Sequence, residues 1–172
     1  MTLQILVNHY KENEKTVEMF LKSLNIQKGV KFDVLIVSDG GDIHLSNELL
    51  GKYSFPIQYA YAPHSGVCHT RNLLLQKSTA DYVMFCDIDD MFWKSDGLKS
   101  LMDEAEKSHA DIIGSPYQCE IKNSNTGKFE FHIMKEDTLR VHGKIFKRQY
   151  LVDNNLTYPD TMITSGDMAF LW

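Results

Sequence analysis

Tyr82-Val83-Met84-Phe85-Cys86-Asp87-Ile88-Asp89-Asp90 decides the fold class. Five apolar residues in succession, with no polar alternation, describe a strand buried on both faces, as in a parallel sheet covered by helices. The run stops at a cluster of carboxylates. In open α/β sheets ligands bind outside the carboxyl ends of the strands, so the cluster sits where chemistry is expected. Carboxylates packed this closely repel one another and raise each other's pKa, a strain that a divalent cation relieves. Hard oxygen donors suit Mg²⁺ or Mn²⁺. The plainer alternative is an acidic turn that caps a helix after Met91, and Asp90 is assigned that role.

Working outward, the same pattern recurs. Leu3–Val7 predicts a strand, followed by a helix capped at Asn13 whose Val17, Phe20, Leu21 and Leu24 form a buried stripe. Phe32–Val37 predicts a second strand, ended by Asp39-Gly40-Gly41-Asp42. A short helix over Leu45–Tyr53, a strand over Ile57–Ala62 and a break at Pro63–Gly66 lead to a helix through Arg71 and Leu75. After the carboxylates come a helix over Gly97–Ser108 and a strand over Asp111–Gly114. Strands alternating with helices imply βαβ units and a parallel sheet. Beyond Pro116 the texture changes. Tyr117–Lys122 and Lys128–Met134 predict a hairpin, followed by His142-Gly143-Lys144, an amphipathic stretch over Phe146–Asn154 and a last segment from Ser165. The fold class is α/β, a Rossmann-like mixed and mostly parallel sheet with an antiparallel addition in the last third.

At 172 residues the length fits one domain, and the net charge of −5 argues against a nucleic acid polymer as partner. The three cysteines, Cys68, Cys86 and Cys119, lie in apolar or strand-like contexts and read as buried reduced thiols, which fits the cytoplasm. The start lacks the pattern of a signal peptide, and no apolar run reaches the roughly 20 residues of a membrane span, which leaves peripheral association open.

Three strand ends carry chemistry: Asn8-His9-Tyr10, Asp39-Gly40-Gly41 and Asp87-Ile88-Asp89. Tyr10 either stacks on a base or packs half-buried. Asp39 either accepts from a base N–H or serves its turn, where glycines let the backbone approach a ligand. Gly66 opens a helix whose amides suit a phosphate, and Arg71 either reaches the same region or makes a core salt bridge.

In order along the chain, these motifs resemble the family 2 glycosyltransferases of GT-A fold, especially bacterial enzymes of surface polysaccharides. Leu3–Tyr10 is similar to the family's opening strand, Val37-Ser38-Asp39-Gly40-Gly41 to its Val-Asp-Asp-Gly-Ser, and Gly66 with Arg71-Asn72 to its Gly-x-x-x-x-Arg-Asn helix. Asp87-Ile88-Asp89 resembles the Asp-x-Asp motif, His142–Leu151 a later segment, and Ser165-Gly166-Asp167 the Glu-Asp site. The resemblance implies a nucleotide-diphosphate sugar donor, with UDP favoured, a saccharide or other hydroxyl acceptor, and inversion. By position Asn8, Tyr10 and Asp39 would hold the nucleotide, Gly66 and Arg71 the diphosphate region, Asp87 the ribose or sugar, and Asp89 the Mn²⁺ or Mg²⁺. His142 and Lys144 would face the diphosphate or acceptor, and Asp167 would be the general base. Residues 1–115 would form the donor half and 116–172 the acceptor part, which ends five residues beyond Asp167 where members of the family continue.

Two other readings compete. Haloacid-dehalogenase-type phosphatases also place Asp-x-Asp after a buried strand, but near the N-terminus and followed by Thr or Val, whereas Asp90-Met91 follows here. A nucleotide-sugar-binding module without turnover would share the donor residues and lack a working Asp167.

Overall fold

The first strand explains most of the architecture. β1 (Leu3–His9) is buried along almost its whole length, because it lies between two parallel neighbours in the sheet. In a computed structural model that describes residues 1–41, 43–135, 140–159 and 170, it pairs on one side with β2 (Phe32–Asp39) and on the other with β4 (Tyr82–Asp87). β2 carries β3 (Ile57–Ala62) on its outer edge, also parallel. Side chains alternate across the sheet. Ile5, Val7, Val34, Ile36 and Met84 point to one face, and Leu6, Leu35, Val37, Val83 and Phe85 to the other.

The first face is covered by α1 (Glu14–Asn25), whose Val17, Phe20, Leu21 and Leu24 are fully buried, and by α4 (Gly97–Ser108) through Leu98, Leu101, Met102 and Ala105. Asn13 caps α1 by accepting from the Thr16 amide, as its sequence predicts. The second face is covered by α3 (Val67–Lys77). The helix expected over Leu45–Tyr53 is α2 (Asn47–Leu50) alone: Ser46 caps its start and Gly51 ends it.

No helix follows Met91. The amide of Phe92 donates to Ser23 Oγ (3.1 Å), the Lys94 carbonyl accepts from Gln27 Nε2 (2.6 Å), and the Ser95 carbonyl accepts from the Lys28 amide (2.7 Å). These bonds tie the segment to the end of α1, so helix starts only after Asp96 and Asp90 is not its cap.

The last third holds the main departure from a simple parallel sheet. β5 (Ile112–Gly114) is followed by β6 (Tyr117–Lys122) and β7 (Phe129–Met134), a separate antiparallel pair. The chain then returns as β8 (Lys144–Lys147), which inserts antiparallel between β4 and β5. The stretch expected to be amphipathic from Phe146 is therefore strand to Lys147 and helix only in α5 (Arg148–Asp153). Ile145 and Phe146 are buried on opposite faces, as a strand inside a sheet requires. The sheet order is β3-β2-β1-β4-β8-β5. Cys68 and Cys86 are buried free thiols, but Cys119, on the separate β6–β7 pair, is only half-buried. Among the described residues no helix is long and apolar enough to cross a membrane.

One core-edge residue is costly. Asp33 sits opposite Gln4, and its Oδ1 is enclosed without a hydrogen-bond partner among the described residues. Burial pushes its carboxyl up, with a Gln4 hydrogen bond opposing. A raised folded-state value means that ionisation works against folding. The cost is absent below the ordinary carboxylate range, grows as pH rises through the folded value and is complete above it. Asp33→Asn should therefore raise the urea midpoint at pH 7, and the gain should shrink towards about pH 4 and vanish below the ordinary carboxylate range; a constant gain at all pH would contradict this origin.

Candidate functional site

Parallel pairing puts the carboxyl ends of β1, β2, β3 and β4 on one edge. Asn8 lies opposite Asp87, His9 opposite Ser38, and Asp39 opposite Ala62. β1 lies between β2 and β4, so the switch in strand order falls where Asn8 and Asp87 meet, the place where such sheets bind ligands.

Asp39 is buried, at 4% exposure, and works as a hub. Its Oδ1 accepts from the Ser65 amide (2.7 Å), and its Oδ2 accepts from the Gly66 amide (3.0 Å) and from His64 Nδ1 (3.0 Å). The β3–α3 turn thus hangs from the end of β2. The glycines after Asp39 serve close chain packing: a Cβ on Gly40 would stand 2.8 Å from the His64 backbone nitrogen, and one on Gly41 2.7 Å from the Tyr10 carbonyl oxygen. Both have φ near +80°, where a side chain is strained. Tyr10 stacks on His64, with centroids 4.5 Å apart and planes at 17°, and Lys11 Nζ lies 4.6 Å from the Tyr10 ring centre. His9 is fully buried and structural: Nε2 is 2.8 Å from the Glu12 carbonyl, while Glu12 in turn accepts from the Tyr10 amide.

The second half of the site is built on α3. Arg71, 6% exposed, donates from Nη2 to Asp87 Oδ1 at 2.7 Å, and its guanidinium lies 5.2 Å from the Tyr158 ring centre. Next to it, Asn72 exchanges two 2.8 Å bonds with the Tyr158 backbone. Arg71-Asn72 therefore fixes Asp87 with one side chain and clamps the segment after α5 with the other. Tyr158 stacks in turn on Phe170 (4.3 Å, 3°) and meets Phe85 edge-on.

The antiparallel insertion of β8 starts that strand at the carboxyl edge of β4. It delivers His142, whose Nδ1 lies 3.4 Å from Asp90 Oδ2. Asp87, Asp90 and His142 can each present one ligand atom with all three within 4.8 Å of one another. Asp89, the residue expected to hold metal, is exposed beside this group, as Asp90 is. Its carboxyl is pushed up, by desolvation first and then by Asp90, Asp87 and Glu12. The buried Cys86 thiol is pushed up for the same reasons and stays inert. Lys144 turns back onto the Arg140 carbonyl. Asn8 Oδ1 is enclosed with no hydrogen-bond partner among the described residues. Asp167 lies outside the described residues.

The edge thus brings together Asn8, Tyr10, Asp39, Gly66, Arg71, Asp87 and His142. A sequence reading passes over His64, although its place just beyond a strand end is the signal that marks the others. A cleft of about 390 Å³ lined by Asp81, Tyr82, Lys147 and Arg148 opens at the opposite, amino edge of β4, away from these groups.

The comparisons agree with this geometry. The family model described as glycosyl transferase family 2 matches residues 4–172, and the chain belongs to that family. An uncharacterized glycosyltransferase of Haemophilus influenzae is 30% identical over 122 residues, covering 70% of this chain and 40% of that protein. S. aureus TarS residues 1–349 superpose with a TM-score of 0.75 at 20% identity, covering 99% of this chain and 54% of that one; TarS 1–349 is also solved with UDP and with UDP-GlcNAc. The mannosyltransferase PcManGT of Pyrobaculum calidifontis, in complex with GDP-Man and Mn²⁺, gives 0.69 at 14% identity, covering 97% of this chain and 50% of that one. The fold is GT-A, and the chain spans about half the length of these relatives. Family membership removes the phosphatase reading.

The Arg71–Asp87 pair should be a stabilising contact in its own right. Arg71→Ala should lower unfolding stability by about 2 kcal/mol, as for a largely buried charge-assisted bond. A double-mutant cycle with Asp87→Ala in urea should return a coupling of at least about 1 kcal/mol; additive losses would show that the two residues act separately.

Proposed function

We propose that this domain transfers a sugar from a nucleotide-diphosphate donor, UDP-linked by preference, to an acceptor hydroxyl with inversion, in polysaccharide or glycoconjugate synthesis in the cytoplasm. The observation that carries it is the convergence on one sheet edge of a base-sized platform at Tyr10 and Asp39 with the Asp87–Asp90–His142 group. UDP and UDP-GlcNAc in TarS, and GDP-Man with Mn²⁺ in PcManGT, support a donor of this class. The free thiols Cys68 and Cys86 support a reducing compartment.

The residues divide the work. Tyr10 offers a ring to the base and Asp39 an acceptor for its imide N–H. Asn8 and Asp87 stand side by side at the switch point, and Arg71 holds Asp87 in place towards the ribose and sugar. The positive end of α3, opened by Gly66, and Lys144 serve the diphosphate side. The donor set at Asp87, Asp90 and His142, with Asp89 adjacent, fits a divalent cation, and its imidazole suits Mn²⁺ better than Mg²⁺. Bound there, the cation would neutralise charge on the diphosphate leaving group. Asp167 takes the proton from the acceptor hydroxyl as it attacks the anomeric carbon. Residues 1–115 act as the donor half and 116–172 as the acceptor part.

Calorimetry tests the donor half. UDP should bind the wild type at least about tenfold more tightly with Mn²⁺ than without, and Asp87→Ala and Asp89→Ala should each remove most of that gain. No binding of UDP, GDP or CMP under any condition would sink the reading. Asp167→Asn should keep UDP affinity and lose donor turnover by about a hundredfold or more, as for a missing general base. Binding without turnover in the wild type would instead mark a nucleotide-sugar-binding module.

A further inference from the structure

His64 has no part in the roles above, yet it stands in the middle of them. Its imidazole lies face to face with Tyr10, and Nδ1 is 3.0 Å from both Asp39 Oδ2 and the Asp39 carbonyl oxygen. Both of those atoms only accept, so Nδ1 carries the proton and donates. A flat nitrogen heterocycle therefore stacks on Tyr10 while giving an N–H to Asp39. Those are the two contacts that the proposed function assigns to a nucleobase with an imide N–H. The side chain is 57% exposed, so these contacts hold it in place and enclosure does not. The Asp39 carboxylate, 6% exposed and already carrying the Ser65 and Gly66 amides, has little remaining capacity for a further donor while His64 is bound.

We infer that His64 is an internal competitor for the nucleobase: in the unliganded site its ring occupies the base position, and nucleotide binding exchanges it for the base. The inference rests on the assignment of Tyr10 and Asp39 to the base. It has a distinctive energetic signature. An occupying side chain lowers the affinity of every ligand that must displace it by a common factor, and leaves untouched a ligand that binds only at the diphosphate and cation. The protein pays this factor in affinity while keeping Tyr10 and Asp39 desolvated and correctly placed before the donor arrives.

The test compares UDP with inorganic pyrophosphate, each with Mn²⁺, on the wild type and on His64→Ala. Alanine keeps the Cβ that packs against Gly40, so the turn retains its support. Calorimetry should show UDP binding about three- to tenfold more tightly to the variant, the size expected for losing one stacked pair, and pyrophosphate binding unchanged. A wild-type readout is independent of the variant's folding. In NMR spectra the His64 ring protons should start upfield, under the Tyr10 ring, and move to solvent values with UDP but not with pyrophosphate. Weaker UDP binding by His64→Ala would make His64 a direct base contact, and an unchanged affinity would mean that its ring does not compete with the base. Either result, or an equal response of the His64 ring to pyrophosphate, overturns the inference and leaves the base assignment standing. UDP binding to neither protein would remove both.

Discussion

The site depends on one constraint, the parallel pairing of β1 with a strand on each side. Parallel strands end together, so whatever residues terminate them are gathered without any further contact. The apolar residues of β1, β2 and β4 stabilise this arrangement by burial on both faces, and the polar residues that end them must find hydrogen-bond or ionic partners at the rim. Asp39 and Asp87 show two ways of holding a carboxylate there. Asp39 is sunk among backbone amides and organises a turn, whereas Asp87 stays partly exposed and is held by Arg71 from the helix that this turn introduces. The two are linked through α3: the hub at Asp39 positions the start of the helix, and the helix carries Arg71 to Asp87.

How much of this is legible in the sequence follows from the range of the interactions. β1, α1, β2, β3, α3, β4 and α4 can be read because their periodicity and caps are local, and Ile57–Ala62 and Gly97–Ser108 agree with the sequence to the residue. β8 cannot be read in the same way. Four residues with two apolar side chains suit a strand or a helix equally, and their state is set by a gap between β4 and β5 that only the folded sheet provides. The role of Asp90 fails for a similar reason: the residues after it are bonded to Ser23, Gln27 and Lys28, more than sixty positions away, and distant partners override local helix signals.

The site shows the same division. Sequence order places Tyr10, Asp39, Arg71 and Asp87 on the correct edge, because strand ends are local features. It does not reveal that Arg71 and Asp87 hold each other, or that the carboxylate beside His142 is Asp90. Side-chain direction past a strand end depends on the turn, and here the Asp90 amide bonds back to the Asp87 carbonyl and swings Asp90 under the start of β8. His64 is hidden for another reason. Its place just past β3 marks the edge on which it lies, but its contacts come from the aromatic ring and carboxylate that two other strands bring to it.

β8 also explains why the two parts of the chain belong to one site. A hairpin appended after β5 could have remained a flap joined by a hinge. Instead the chain returns into the sheet, so Phe146 packs against Phe85 on one face and Ile145 joins the core on the other. Any movement of the segment bearing His142 and Lys144 is thereby resisted by the same strand that bears Asp87. Because β8 runs against β4, its first residues, not its last, meet the carboxylates, and a parallel β8 would have carried His142 to the far edge. The antiparallel insertion thus brings His142, from late in the chain, beside Asp87 and Asp90 at the end of β4.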